Sequence, residues 1–108
     1  MSEALLAAVE IEQPIATDLP SFEGHFPGAP VLPGAFLLSL VLQAIAARPA
    51  WARKVGAAPH IQQVKFLAAV GPGQTLHIGL DDRHNAVAFS VRCGTTVVAR
   101  GTLAKHAP

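Results

Sequence analysis

The sequence predicts an α+β fold, on two observations. Residues 34–47 form one apolar stretch of helical length, and residues 60–105 read as successive strands joined by short polar or glycine-containing turns. With 108 residues the chain suits a single domain, assigned here to 1–108. Hydrophobic residues make up 51% and charged residues 14%, against roughly 25% charged in an average soluble domain. Such a composition excludes disorder. It also implies that part of a surface so poor in charge is buried against another subunit.

Each element follows from its local pattern. Val9 and Ile11 alternate with Glu10 and Glu12, which predicts a strand, preceded by a frayed helical turn. Asp18, Pro20 and Ser21 mark a loop. Residues 22–34 hold three prolines and three glycines, which forbid a long regular element. Phe22, Phe26, Val31 and Leu32 within it argue for a shaped, packed-down loop. Pro33 suits the first turn of the helix that follows, where no N–H is needed. From Gly34 to Ala47 only Ser39 and Gln43 are polar, so the helix is expected to be surrounded by protein. It ends near Arg48, Pro49 and the Trp51–Lys54 segment.

Further on, Gln62, Val64 and Phe66 alternate with Ile61, Gln63 and Lys65. Gly71–Pro72–Gly73–Gln74 is a turn. Leu76, Ile78 and Leu80 share one face, and Asp81 to Asn85 reads as a polar turn. Val87, Phe89, Val91 and Cys93 share the next face, and Gly94–Thr95 leads into a last strand over 96–105. Short connections imply an antiparallel meander, and strand twist makes such a sheet curl.

Composition also narrows function. A net charge of +1 offers no basic face for nucleic acid. The near-apolar stretch 35–47 is too short for a membrane span, which needs about 20 residues. A lone cysteine, Cys93, precludes an internal disulfide and fits a cytoplasmic location. No secretory leader is expected, since Glu3 and Glu10 flank only a short apolar run.

The segment Gly24-His25-Phe26-Pro27-Gly28-Ala29-Pro30-Val31-Leu32-Pro33-Gly34 resembles the G-H-F-P-x-x-P-x-x-P-G signature of 3-hydroxyacyl-[acyl carrier protein] dehydratases. Val64-Lys65-Phe66 and Val70-Gly71-Pro72-Gly73-Gln74-Thr75-Leu76 resemble a second stretch of that family, so the likeness spans roughly residues 13–104. The dehydratase-like proteins of aryl polyene and related lipid clusters share the loop. The resemblance implies a hot-dog fold, in which a curled antiparallel sheet wraps one long central apolar helix. It also implies a dimer acting on acyl chains carried on phosphopantetheine, by acyl carrier protein or coenzyme A. No metal and no further cofactor is implied.

By the same resemblance His25 is the catalytic base and Gly34 the donor to the thioester carbonyl, with Gln43 a polar group on the central helix. The family's catalytic Asp or Glu lies fourteen residues after the histidine, and here that position is Ser39. Ser39 is therefore the third candidate catalytic residue. Phe26, Gly28, Pro33 and Gln43 are candidates for substrate contact, with core packing the competing reading for Phe26 and Phe22.

The chemistry makes these assignments intelligible. Dehydration removes a proton from C2 and expels hydroxide from C3. A neutral imidazole titrates near working pH and can take the first proton. Free N–H groups at a helix start can receive the carbonyl's developing charge. A serine hydroxyl donates a hydrogen bond but does not readily give up its proton. Three remedies remain open: His25 returns the proton, Glu23 or Asp18 approaches, or a different chain supplies the acid. In this family each site combines one subunit's histidine with the other's acid, so a homodimer and a heterodimer with an acid-bearing hot-dog chain both stay in view. Two rival functions also remain: a hot-dog thioesterase, disfavoured because no carboxylate lies on residues 34–47, and a non-catalytic acyl-binding partner subunit.

Other residues carry weaker signals. Asp81, Asp82 and His84 have metal-binding types, but adjacent turn residues seldom converge on one ion. His60, His77 and His106 show no ligand spacing. Cys93 reads as a small core residue. Arg48, Arg53 and Lys54 form a basic cluster that either receives an acidic carrier or simply solvates a helix end.

Overall fold

A computed structural model describes residues 4–18 and 32–106. The elements are β1 (Val9–Pro14), α1 (Gly34–Ala46), α2 (Pro49–Val55), β2 (His60–Phe66), β3 (Thr75–Asp82), β4 (Val87–Cys93) and β5 (Thr96–Ala104). The five strands form one antiparallel sheet in the order β1-β3-β4-β5-β2, with α1 against one face. This is the α+β hot-dog architecture expected from the loop motif.

The sheet face toward α1 is apolar because alternation puts every second side chain there. Leu76, Ile78 and Leu80 of β3 and Val87, Phe89 and Val91 of β4 are buried. They meet Leu37, Leu40, Val41 and Ile45 of α1, which recur at the three- and four-residue spacing of a helical stripe. α1 is not enclosed on all sides, however. Ala35, Gln43 and Ala46 are exposed, and Leu38, Ser39 and Leu42 are half-buried. The all-apolar helix thus keeps one side uncovered within a single chain.

The strand pattern departs from a simple meander. β3, β4 and β5 follow one another, but β2 pairs with β5 at the far edge instead of with β3. A register shift between Ile61 and Gln63 corrects the expected alternation in β2: Ile61 pairs with Leu103 and Val64 with Gly101, so both face α1, whereas strict alternation set them on opposite faces. A glycine is required at 101 because a Cβ there would overlap the Gln63 carbonyl and lie 2.9 Å from the Phe89 ring.

Three further expectations change. Residues 4–8 contain no helical turn. The segment after α1 is a second helix, α2, which starts with Pro49 in its first turn, buries Trp51 and Val55, and stops at Gly56 with φ 73°. Asp81 and Asp82 belong to β3 and not to the turn, and Asp82 is buried. Its carboxylate accepts from the Leu6 N–H at 2.8 Å and the His84 N–H at 2.9 Å, and sits 3.1 Å from Lys54 Nζ. One carboxylate thereby ties the N-terminal segment, α2 and the β3–β4 turn together. Chiefly through the Leu6 N–H, these donors hold its pKa below the ordinary 3.8.

Two outcomes are expected. Ile78→Ala, which empties a fully buried site, should cost about 2–5 kcal/mol by urea unfolding. Because Asp82 has its pKa lowered on folding, its contribution is present above the unfolded-state value and fades as pH falls through the folded one. The difference in urea midpoint between wild type and Asp82→Asn should therefore be full at neutral pH and shrink below about pH 4. A difference independent of pH would show that the carboxylate charge is not what matters.

Candidate functional site

The start of α1 is set by the strand end and loop that lie across it. Leu32 is buried, and its N–H donates to the Val70 carbonyl at 2.7 Å. Beyond β2, Leu67 N–H donates to Val98 O at 2.9 Å, which holds the chain leaving β2 against β5. Pro33 is the N-cap, with φ −60° and ψ 144°, and no side chain caps the helix. The first helical bonds run from Phe36 and Leu37 N–H to Pro33 O. The N–H groups of Gly34 and Ala35 have no acceptor among the described residues. A helix start without a side-chain cap keeps donors and a positive dipole end available for an incoming oxygen.

Gly34 is the right residue there for a steric reason. A Cβ at this position would come 3.0–3.2 Å from the Phe66 ring. Phe66 is 49% exposed and is followed by the exposed Leu67, while Ile61, also exposed, lies at the other end of β2. Behind this ring Leu37, Leu38, Val41, Val64 and Phe89 among others pack closely between α1 and the sheet, leaving no space that would admit a water molecule. Phe66 is the site residue that sequence reasoning left without a role, although the motif Val64-Lys65-Phe66 already singled it out.

Ser39 and Gln43 lie four residues apart on the uncovered side of α1, with Ala35 and Ala46. They are thus turned away from the core. The Ser39 hydroxyl donates to the Phe36 carbonyl at 2.7 Å, so its one proton is engaged by its own helix. In this arrangement the hydroxyl offers a lone pair to a ligand and no donor. Gln43 is exposed one turn further along.

His25, Phe26 and Gly28, with Phe22 and Glu23, lie outside the described residues. Pro33, Gly34, Ser39 and Gln43 are all on α1 or its cap. Asp18 is exposed in the turn after β1. The metal-type residues of the β3–β4 corner diverge: Asp82 turns inward to Lys54, while Asp81 pairs with Arg83 at 3.0 Å on the surface. Among the described residues no group of three or more His, Cys, Asp or Glu side chains is placed to hold a metal ion. Cys93 is half-buried on β4, and burial raises its thiol above the ordinary 9.0, which makes it a poor nucleophile. The expected basic cluster disperses. Arg48 donates to the Ala44 carbonyl at 3.0 Å, Lys54 pairs with Asp82, and Arg53 is exposed. No single helix among the described residues is long and apolar enough to cross a membrane.

Comparison with known proteins places these features in a family. Residues 3–102 match the ApeI-like family model, described as ApeI dehydratase. The 3-hydroxyacyl-[acyl-carrier-protein] dehydratase FabZ of Desulforamulus reducens is 35% identical over 71 residues, 62% of this chain and 50% of that protein. Its namesake in Chlamydia trachomatis serovar L2 is 32% identical over 107 residues, covering 89% of this chain and 70% of that one. The chain spans about half the length of several of the curated relatives it matches. Among solved structures, the dehydratase heterocomplex ApeI:P from Xenorhabdus doucetiae contains a chain with a TM-score of 0.71 at 22% identity, covering 96% of this chain and 97% of that one. The fluoroacetyl-CoA-specific thioesterase FlK, as its F36A mutant with fluoroacetate and CoA, gives 0.66 at 16% identity, over 94% and 91%. Both structural likenesses support the hot-dog fold.

The close fit of Gly34 beneath Phe66 is testable. Gly34→Ala should destabilise the protein because the ring must move, and Phe66→Leu should relieve much of that cost. Thermal or urea unfolding of the two single variants and the double variant should give a coupling of about 0.5–3 kcal/mol. Strict additivity would show that the two residues do not confine each other.

Proposed function

Because this chain belongs to the ApeI-like dehydratase family and is a FabZ-like hot-dog protein, we propose that it removes water from 3-hydroxyacyl chains carried as thioesters on acyl carrier protein or coenzyme A. The observation that carries the reading is the first turn of α1. Its capping proline, bare Gly34 and N–H groups without an acceptor among the described residues stand beside the exposed ring of Phe66. That offers a thioester donors for a carbonyl oxygen that gains charge and an apolar surface beside them. In this reading the carbonyl accepts from the helix start and His25 takes the C2 proton. Phe26, Gly28, Pro33 and Gln43 are the proposed substrate contacts, with Gln43 on the open side of α1. The setting would be the cytoplasm.

Ser39 favours a second component. At the position where the family carries its acid, a hydroxyl already donating to Phe36 O is poorly suited to protonate a leaving hydroxide. The acid is then supplied by His25 itself or by a second hot-dog chain. What supports a second chain is that β2 is an edge strand among the described residues and carries exposed apolar side chains at Ile61 and Phe66. Pairing there would cover the surface that this charge-poor chain leaves open. The partner is either a second copy or an acid-bearing relative. The Xenorhabdus doucetiae protein, whose dehydratase is a heterocomplex, supports the latter by analogy.

The experiment is to incubate the purified protein with 3-hydroxyacyl and 2-enoyl thioesters and follow water loss or addition alongside free thiol. Interconversion of the two acyl forms is expected, and His25→Ala should lower it on the order of 10²- to 10⁴-fold. Ser39→Glu should raise the rate if the side chain reaches C3. Thiol release without interconversion would make the protein a thioesterase, and binding without turnover would make it a partner subunit.

A further inference from the structure

The cations of α2 meet others from distant parts of the chain. Arg53 and Lys54 of α2, His84 and Asn85 of the β3–β4 turn and Lys105 beyond β5 line one groove of about 590 Å³. Among the described residues no carboxylate lines it. Asp82, which touches three of the lining residues, is buried, and its oxygens are taken by the Leu6 and His84 N–H groups and by Lys54 Nζ. Arg53 and Lys105 remain. Both are exposed, and neither has an acidic partner among the described residues. A Cβ on Gly56 would lie 3.8 Å from Lys105 Cγ, so the Lys105 stem crosses the end of α2 just after the turn that carries Arg53. The helix dipole gives Arg53 a structural reason to be there. Lys105 adds a like charge to the same groove, a repulsion that an anion between them would relieve.

The walls of this groove are fixed in advance. One buried carboxylate joins Leu6, Lys54 and His84, which come from three separate segments. His84 is held at φ 66°, the one positive value outside glycine among the described residues, and its N–H bond to Asp82 keeps it in place. Binding gains from such preorganisation, because the donors need not be gathered when the ligand arrives. Leu6 and Ala50 add apolar surface to the same lining. The volume falls within the roughly 300–1,000 Å³ of small-molecule sites. An anionic head on a small apolar body matches this lining. Arg53 offers a planar fork of donors, Lys105 a point charge and Asn85 an amide, a set suited to a dianion with three acceptor oxygens.

We propose that this groove binds a small organic phosphate monoester, whose phosphate is gripped by Arg53 and Lys105. The site is separate from the helix start. α1 has 13 residues and so runs roughly 20 Å; Gly34 opens it, whereas the groove is built on the helix that follows its far end. The proposal therefore does not depend on the reaction assigned to that helix start. A bound phosphate bridges α2 and the end of β5, and it stabilises the folded chain by mass action.

The test is to titrate the intact protein with phenyl phosphate by calorimetry, to follow its thermal unfolding, and to map the amides that shift by NMR. Phenol supplies the body without the phosphate, and inorganic phosphate the reverse. Phenyl phosphate should bind, raise the unfolding temperature and shift amides near residues 53–56, 84–85 and 105, and its binding should weaken as salt rises. Inorganic phosphate should move the same amides with lower affinity, and phenol should move none. Arg53→Gln and Lys105→Gln should each weaken phenyl phosphate binding about tenfold, as loss of a charge-assisted hydrogen bond does. Both side chains are exposed, so the unfolding temperature without ligand should stay near that of wild type. Lys65→Gln, outside the groove, should bind as wild type does. No binding of phenyl phosphate by wild type, equal binding of phenol, or affinity unmoved by both substitutions would overturn the proposal. So would shifts centred on Gly34 and Ala35, since an open helix start also attracts anions.

Discussion

The contact between Phe66 and Gly34 is the constraint on which the rest of the site depends. Without a side chain Gly34 lets the ring tip lie close over the helix start, where a Cβ would crowd it at 3.0–3.2 Å and push it outward, and the ring gives the helix start an apolar wall. Around this contact the Leu32–Val70 hydrogen bond fixes the incoming chain, and Leu67 N–H to Val98 O fixes the outgoing one. The first turn of α1 is thereby held against the end of β2 before any ligand arrives. Rigid placement of donors is what makes a helix start useful to a reaction, because the donors need not reorganise as charge develops.

A second constraint operates at the opposite end of the molecule. Asp82 is a buried carboxylate with three donors from three separate segments. A buried charge is tolerated only when its partners are supplied, and here they bring residue 6, α2 and the β3–β4 turn to one point. The two ends of α1 therefore differ in kind. One is anchored by polar contacts and the other is bordered by the exposed aromatic ring of Phe66.

The edges of the sheet divide labour in a similar way. β1 ends the sheet with exposed carboxylates, which discourage further pairing, whereas β2 ends it with the apolar Ile61, Val64 and Phe66 toward the helix and Lys65 on the reverse side.

Local pattern was enough for much of this. The period of the apolar residues located α1 and the core faces of β3 and β4, and the proline- and glycine-rich loop with its histidine pointed to the family and to Gly34. Sequence alone could not set the place of β2, because strand order depends on long-range pairing and not on local alternation. The bulge at Ile61–Gln63 likewise moved a side chain from one face to the other. Asp82 read as part of a polar turn because two of its three partners, Leu6 and Lys54, lie in distant segments brought to it only by folding. Lys65 and Arg100, opposed on β2 and β5 though 35 positions apart in the chain, became neighbours for the same reason. Spacing along the chain determines which residues can share a face, but only the register between strands decides which of them meet.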